Sequence, residues 1–305
     1  MIATTATTAS TAFTAFTAFT AISPAPSRSG VRAGGIVGAL VAAAVLVVSA
    51  VRVEAAPAGA PDPAAGPTLT KIRDSGELRV CIWPDYYGIT YRHPRSGQLT
   101  GIDIDLSAEL AKDLGVTLRH VESSFPTLVD DVVGGRCDIA MFAVGMTPQR
   151  RERLAFSAPY LQSDIYAIAT RSSRVVKRWE DIDRPGVVVA VQAGTFMEPV
   201  MRDRLRQATL QVVRPPATRE AELEAGRVDV FMTDYPYSRR LLDNADWMRL
   251  VAPPSPFHVL PYAYAVRPGD AAWLARVNAF VAAIRRDGRL EAAARRHGLG
   301  EIVVR

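Results

Sequence analysis

The sequence contains few of the residues that build metal centres and covalent cross-links. It has 2 cysteines and 4 histidines among 305 residues, and these show no spacing typical of metal ligands. We therefore expect no metal site, and no motif indicates a cofactor. Cys81 and Cys137 leave two interpretations open, which are one structural disulfide or two buried free thiols.

Lysine is also scarce, because only Lys71, Lys112 and Lys177 are lysines among 36 basic side chains. The formal net charge is +5, and a weak, dispersed excess of this kind does not indicate a nucleic-acid partner.

The motifs G-x-S-x-G and G-K-[ST] are absent from the sequence. Their absence excludes a nucleophile elbow and a phosphate-binding P-loop.

The N-terminal part predicts export. Residues 1–27 have low complexity and are predicted to be disordered. Residues 28–55 begin with Arg28 and Arg32, continue with an uncharged and mostly apolar run at 33–51 and have small residues near the end, which is typical of a cleaved signal peptide. The alternative is a retained membrane anchor, because the run is just long enough to span a bilayer. Residues 56–69 are rich in Pro, Ala and Gly and predict a linker. We expect a periplasmic or extracellular protein, in a compartment that favours a disulfide.

From residue 70 onwards, patterns typical of strands alternate with patterns typical of helices. The predicted strands lie at 77–83, 116–122, 137–144, 187–195, 210–215, 228–234 and 262–270. The predicted helices lie at 101–115, 125–135, 197–208, 218–226, 271–288 and 289–299. This order predicts an α/β fold of two similar halves, each a mainly parallel sheet flanked by helices. The cleft between two such halves is the expected ligand site.

Six stretches resemble, in order and spacing, the bacterial extracellular solute-binding proteins of family 3, the polar amino-acid type. They are "SGELRV", "GIDIDLSAELAKDLG", "FPTLVDDVVGGRCDIAMFAVGMTPQRRERLAFSAPY", "VAVQAGT", "GRVDVFMTD" and "YAVRPGDAAWLARVNAFVAAIRRDGRLEAAARRHG". The resemblance implies a two-lobed periplasmic-binding fold of type 2 with a hinge of two strands. Lobe one would comprise residues 70–165 and 255–303, and lobe two residues 166–254.

The resemblance also implies a function. A monomer would capture a small amino acid or related carboxylate between its lobes and deliver it to an ABC permease in the membrane. A sensor protein is the alternative partner, because transport and sensing both depend on lobe closure.

The site residues follow from the same resemblance. In the family, the Arg of a Thr-x-x-Arg motif holds the α-carboxylate of the ligand, and the matching residues here are Thr147 and Arg150. A planar guanidinium suits this role because it matches a carboxylate bidentately. Peptide N–H groups near Gly145 and Thr147 would add donors. Arg151 and Arg153 have no such counterpart and predict a solvated face.

Asp234 occupies the position that binds the α-ammonium group in the family. The alternative for this strand-end Asp is that it caps the next turn.

Thr195 stands at a strand-to-helix turn, where its N–H and hydroxyl can meet an anion. Thr195 and Glu198 also have the spacing of a capping box, and the two roles are compatible.

Aromatic walls complete the site in the family, and Tyr86 and Phe125 match them here. For Phe125, ordinary core packing is the alternative. Trp83 stands where several members have an acidic residue, and Gln192 where a lysine or another polar residue is common. The predicted pocket is therefore more aromatic and less charged than in those members.

Cyclohexadienyl dehydratase, an enzyme of the same fold, resembles the sequence as well. Its general acid is a Glu that follows Gly-Thr after one intervening residue. Here Met197 occupies that position and Glu198 follows it. A shift of one helical position turns a side chain by about 100°. We therefore expect a binding protein rather than an enzyme.

Overall fold

The computed structural model describes residues 66–305, without the side chain of Arg240. The predicted disordered start, the export signal and most of the linker lie outside the described residues. In the part that is described, no helix combines the length and apolar character needed to cross a membrane.

The chain alternates strands and helices over its described length. The strands are β1 (Glu77–Ile82), β2 (Asp85–Tyr86), β3 (Thr90–Arg92), β4 (Leu99–Thr100), β5 (Thr117–Glu122), β6 (Ile139–Gly145), β7 (Ala155–Phe156), β8 (Leu161–Ser163), β9 (Ile165–Thr170), β10 (Val188–Gln192), β11 (Thr209–Val213), β12 (Val230–Asp234), β13 (Met248–Val251) and β14 (Leu260–Val266). The α-helices are α1 (Gly66–Ser75), α2 (Ile102–Leu114), α3 (Leu128–Val133), α4 (Pro148–Arg151), α5 (Met197–Arg204), α6 (Arg219–Glu224), α7 (Tyr235–Leu242), α8 (Ala271–Arg286) and α9 (Arg289–Arg296).

Two large sheets form the framework. The first has the order β5-β1-β6-β14-β7, with β8 also beside β14. The second has the order β11-β10-β12-β9-β13. In each, the first three strands are parallel and the others pair antiparallel. The predicted α/β fold with two flanked sheets is confirmed, and both sheets are mixed because β14 and β7 in the first sheet and β9 and β13 in the second pair antiparallel.

The chain crosses between the two sheets twice. It leaves the first sheet at Asp164, between β8 and β9, and returns between β13 and β14. The carboxylate of Asp164 accepts hydrogen bonds from the backbone N–H of Phe257 at 2.8 Å and of His258 at 2.6 Å. One side chain of the first crossing therefore holds the second crossing in place. The residue limits of the two lobes stay a prediction.

The linker prediction is wrong at its C-terminal end. Residues 66–69 form the first turn of α1, whose Leu69 and Ile72 are buried. The N–H of Thr68 donates to the carboxylate of Asp270 at 2.9 Å, and this bond satisfies a donor at the start of α1. Burial of two apolar side chains therefore outweighs the Pro and Gly content of this stretch.

The predicted disulfide joins Cys81 of β1 to Cys137, just before β6, and the free-thiol interpretation is wrong. Their Cα atoms lie 5.5 Å apart, and both residues are buried. Because β1 and β6 are neighbouring parallel strands, the bond fixes the part of the first sheet that leads to the site.

Candidate functional site

A short helix at the end of β6 buries an arginine. Strand β6 is buried at every position and ends at Gly145. Thr147 then caps α4, because its backbone is extended and its hydroxyl accepts the N–H of Arg150 at 3.3 Å. Arg150 is only 7% exposed, whereas the adjacent Arg151 is exposed. The cap therefore turns one arginine of this basic run inward.

The Arg150 guanidinium is bound by backbone carbonyls. Its Nη1 donates to Gly145 O at 3.0 Å and its Nη2 donates to Gly194 O at 3.0 Å. Its central carbon lies 5.1 Å from the centre of the Phe125 ring. Burial lowers the pKa of Arg150 to about 10, so the side chain remains protonated at neutral pH. Within residues 66–305 this cation forms no ion pair with a carboxylate, and a buried cation of that kind suits an anionic partner.

Asp234 lies at the end of β12 and is also buried. Its Oδ1 accepts the N–H of Tyr237 at 3.2 Å, and this bond caps α7. Its Oδ2 accepts the hydroxyls of Tyr262, at 2.7 Å, and of Tyr86. Burial raises the pKa of Asp234, and these hydrogen bonds oppose the rise. The capping alternative is confirmed as a contact, and the role in binding an ammonium group stays a prediction.

The capping box predicted for Thr195 and Glu198 is wrong. The Thr195 hydroxyl donates to Gln192 O at 2.7 Å, and among the described residues no N–H of α5 donates to a capping side chain. The Glu198 carboxylate accepts the N–H of Gly194 at 3.1 Å and binds Arg202 Nη2 at 3.1 Å. Glu198 still closes the turn before α5, one residue earlier than a capping box requires.

A cavity lies between the two sheets, with about 320 Å³ of space that protein atoms do not fill, part of it open to solvent. Six predicted site residues line it: Trp83, Tyr86, Phe125, Gly145, Thr195 and Asp234. Six more lining residues were not predicted: Ala143, Phe196, Met197, Arg219, Thr233 and Tyr237.

The other three predicted site residues, Arg150, Thr147 and Gln192, are not part of the cavity lining but lie next to it. Arg150 contacts Gly145 and Phe125 directly. The N–H of Thr147 donates to Gly145 O at 2.9 Å. Gln192 is buried, and its carbonyl accepts the Thr195 hydroxyl. The ligand roles of these residues stay predictions.

Aromatic rings form most of the cavity wall. The ring centre of Trp83 lies 5.3 Å from those of Tyr86 and Phe125, and its plane stacks on Tyr237 at 6.4 Å. Phe125 also contacts the buried Phe142 at 5.2 Å, so it serves both the cavity and the core. Rings of this kind bury apolar ligand surface with little loss of side-chain entropy.

Arg219 is the main residue that the sequence analysis missed. It is the first residue of α6, follows the cap residue Thr218 and is only 4% exposed. Its Nη1 donates to Met232 O at 2.7 Å, and its guanidinium carbon lies 4.6 Å from the Tyr237 ring centre. One local signal was available, because a cation in the first turn opposes the helix dipole. An arginine in the first turn of a helix is therefore expected to be stabilised by contacts with other parts of the fold.

Comparisons with known proteins agree with this geometry. The sequence profile of the bacterial extracellular solute-binding proteins, family 3, matches residues 78–300. The cyclohexadienyl dehydratase of Pseudomonas aeruginosa is 31% identical over 73% of this chain and 82% of its own length. The L-cystine-binding protein TcyJ of Escherichia coli K12 is 25% identical over 73% of this chain and 83% of its own length.

A solved structure shows the same architecture. It is an ancestral amino-acid-binding protein described as a precursor of cyclohexadienyl dehydratase, and it superposes with a TM-score of 0.69 at 30% identity. The match covers 75% of this chain and 99% of that one. The predicted two-lobed periplasmic-binding fold of type 2 is thereby confirmed. The chain belongs to family 3 of the bacterial extracellular solute-binding proteins.

Proposed function

We propose that the protein binds a free amino acid in the cavity between its two sheets and delivers it, outside the cytoplasm, to an ABC permease. The observation that carries the proposal is the environment of Arg150. This cation is buried and protonated, and two backbone carbonyls from opposite sides of the cavity hold it. A ligand carboxylate can replace a neutral carbonyl with a charge-assisted, bidentate partner.

The second polar contact suits an α-ammonium group. Asp234 is a buried carboxylate in the cavity wall, and within residues 66–305 it accepts three hydrogen bonds, two at Oδ2 from the hydroxyls of Tyr86 and Tyr262 and one at Oδ1 from the N–H of Tyr237. A carboxylate has about four acceptor positions, so one position remains at Oδ1 for an ammonium donor. Arg150 and Asp234 would thus bind the two ends of the α-amino-acid group, while the aromatic wall takes the rest.

The proposal is tested by a thermal-shift screen of the common amino acids, followed by calorimetry on each hit. At a concentration 100 times its Kd, a ligand adds about 2.7 kcal/mol to the free energy of unfolding. Arg150→Met should weaken binding by roughly 3–5 kcal/mol, because it removes one partner of a buried charge pair. Arg151→Met is the matched control, since Arg151 is exposed on the same turn. A hit that binds the Arg150→Met and Arg151→Met variants equally well would refute the assignment.

A dehydratase is the second candidate, because the enzyme from Pseudomonas aeruginosa is 31% identical to this chain. The geometry favours binding instead. Met197 lines the cavity, whereas the Glu198 carboxylate is bound by Gly194 and Arg202. A general acid must reach the leaving oxygen within about 3 Å, directly or through one water.

Incubation of the purified protein with prephenate or arogenate at neutral pH separates the two candidates. We expect absorbance to change at the uncatalysed rate in the wild type and in Glu198→Gln alike. Turnover that Glu198→Gln abolishes would establish the enzyme and overturn the binding-protein proposal.

A further inference from the structure

Two buried polar atoms without partners belong to residues that line the same cavity. In the described part of the chain, three buried side-chain atoms lack a hydrogen-bond partner, and two of them are Arg219 Nε and Thr233 Oγ1. Both residues line the cavity, and Thr233 directly follows Met232, whose carbonyl accepts from Arg219. Buried polar groups are paired in most native proteins, so two unpaired groups together indicate a polar ligand group.

The contacts that Arg219 does make leave one edge of its guanidinium unused. Nη1 donates to Met232 O, and the ring centres of Tyr237 and Phe231 lie 4.6 Å and 5.2 Å from its central carbon. Nε and Nη2 form the side of the fork that carboxylates bind bidentately. Among residues 66–305, neither of these two atoms donates a hydrogen bond and Arg219 forms no ion pair. The unused edge therefore matches a carboxylate.

The charges around the cavity also indicate that the ligand carries a further carboxylate. Arg219 in the cavity lining and Arg150, which contacts the lining residues Gly145 and Phe125, are two buried cations, whereas Asp234 is the one carboxylate among the described lining residues. An α-amino-acid group with no net charge would leave this site one positive charge in excess. A ligand with a further carboxylate balances the three side chains, and buried charges are stable when they are paired.

We propose that the ligand is an acidic amino acid whose second carboxylate binds the Nε–Nη2 edge of Arg219 and the hydroxyl of Thr233. The proposal rests on the proposed function, because it assigns the α-carboxylate to Arg150 and the ammonium group to Asp234. It adds a second anion subsite on the β12 side of the cavity, which sets the choice of side chain.

The test compares acids with their amides by calorimetry on the full exported protein. Glutamate is paired with glutamine, and aspartate with asparagine. The wild type should bind at least one acid more tightly than its amide, by about 30-fold or more, because the amide leaves the Arg219 charge unpaired. Arg219→Met should remove this preference. Thr233→Val, which keeps the side-chain shape, should reduce it several-fold.

Two controls separate recognition from folding. Arg214→Met removes one positive charge at an exposed position and should leave the preference unchanged. Thr233→Val removes a hydroxyl that has no partner, so the thermal stability of the free protein should not fall. A fall in the preference without a fall in stability therefore supports recognition by Thr233.

The outcomes distinguish this inference from the proposed function. If neutral amino acids bind as tightly as the acids, and their binding depends on Arg150, the second subsite is refuted and the proposed function stands. If an acid binds better than its amide equally in the wild type and in Arg219→Met, the subsite is also refuted. If no amino acid binds, the proposed function falls together with the inference.

Discussion

The backbone of Gly194 lies against that of Pro126, and a β-carbon placed on Gly194 would meet the Pro126 nitrogen at 2.7 Å. Gly194 follows β10 of the second sheet, and Pro126 follows β5 of the first, so the contact joins opposite sides of the cavity. We predict that Gly194→Ala separates the two sides and weakens amino-acid binding about tenfold or more, by roughly 1.4 kcal/mol per factor of ten. Calorimetry measures the affinity, and small-angle scattering should show a larger radius of gyration.

Gly186→Ala is the control for this substitution. Both glycines have a positive φ, 74° at Gly194 and 83° at Gly186, so alanine strains the backbone at either position by about 1–2 kcal/mol. At Gly186 no atom lies within 4 Å of the added carbon. Equal losses of affinity in the two variants would show that backbone strain, and not the contact with Pro126, is responsible.

The disulfide should contribute strongly to stability. It closes a loop with a sequence separation of 56 residues. In the chain-entropy model, such a loop corresponds to about 4 kcal/mol. Replacing both Cys81 and Cys137 by Ala should lower the free energy of unfolding by roughly that amount, as measured in urea. A double variant as stable as the oxidised wild type would contradict the prediction.

Asp103 should make stability depend on pH. It is fully buried, its Oδ2 accepts the N–H of Ala143 at 2.9 Å, and burial raises its pKa to about 7. The folded protein then keeps a proton that the unfolded chain has released above about pH 4. The free energy contributed by this group therefore falls as pH rises from about 4 to about 7.

Asp103→Asn removes that titration. Between about pH 4.5 and pH 7.5, the wild type should lose about 1–4 kcal/mol more stability than the variant, at about 1.4 kcal/mol per tenfold change in proton affinity. Urea unfolding at both pH values measures how much stability each protein loses between them. The hydrogen bonds that the substitution removes lower the stability of the variant at both pH values, so they cancel in this comparison. Parallel pH profiles for the two proteins would disprove the assignment.

The Tyr262 hydroxyl should control the pH range of ligand binding. Its hydrogen bond to Asp234 opposes the rise in the pKa of that carboxyl group. An ammonium group binds the ionised carboxylate, so affinity should fall as pH falls through the pKa of Asp234. In Tyr262→Phe this fall should occur at higher pH, whereas Tyr166→Phe, outside the cavity lining, should leave it unchanged. Calorimetry in steps of pH measures the midpoint, and a midpoint that does not move would count against the role of Asp234.

The sequence predicted the features that local spacing determines. The pattern that ends at Gly115 defined α2, which stops there with φ of 69°. The cap that Thr147 forms with Arg150 at α4 was not predicted, because both residues were singled out only through the family resemblance. The small sheet of β2, β3 and β4 was missed because its strands have only two or three residues.

Contacts between distant segments explain the other omissions. Tyr262 reaches Asp234 from β14, and Arg219 reaches Met232 from α6. The periodicity of hydrophobic residues indicates which face of a helix or strand is buried. It does not indicate which polar side chain from a distant part of the chain will contact that face. The aromatic positions Trp83 and Tyr86 were found only through the family resemblance.

The carboxylate of Asp164 connects the two crossings between the sheets, through the N–H groups of Phe257 and His258. Two crossing segments that are linked by hydrogen bonds can bend together, but they cannot slide past each other without breaking those bonds. A rearrangement of the two sheets that keeps these hydrogen bonds must therefore move both crossings together.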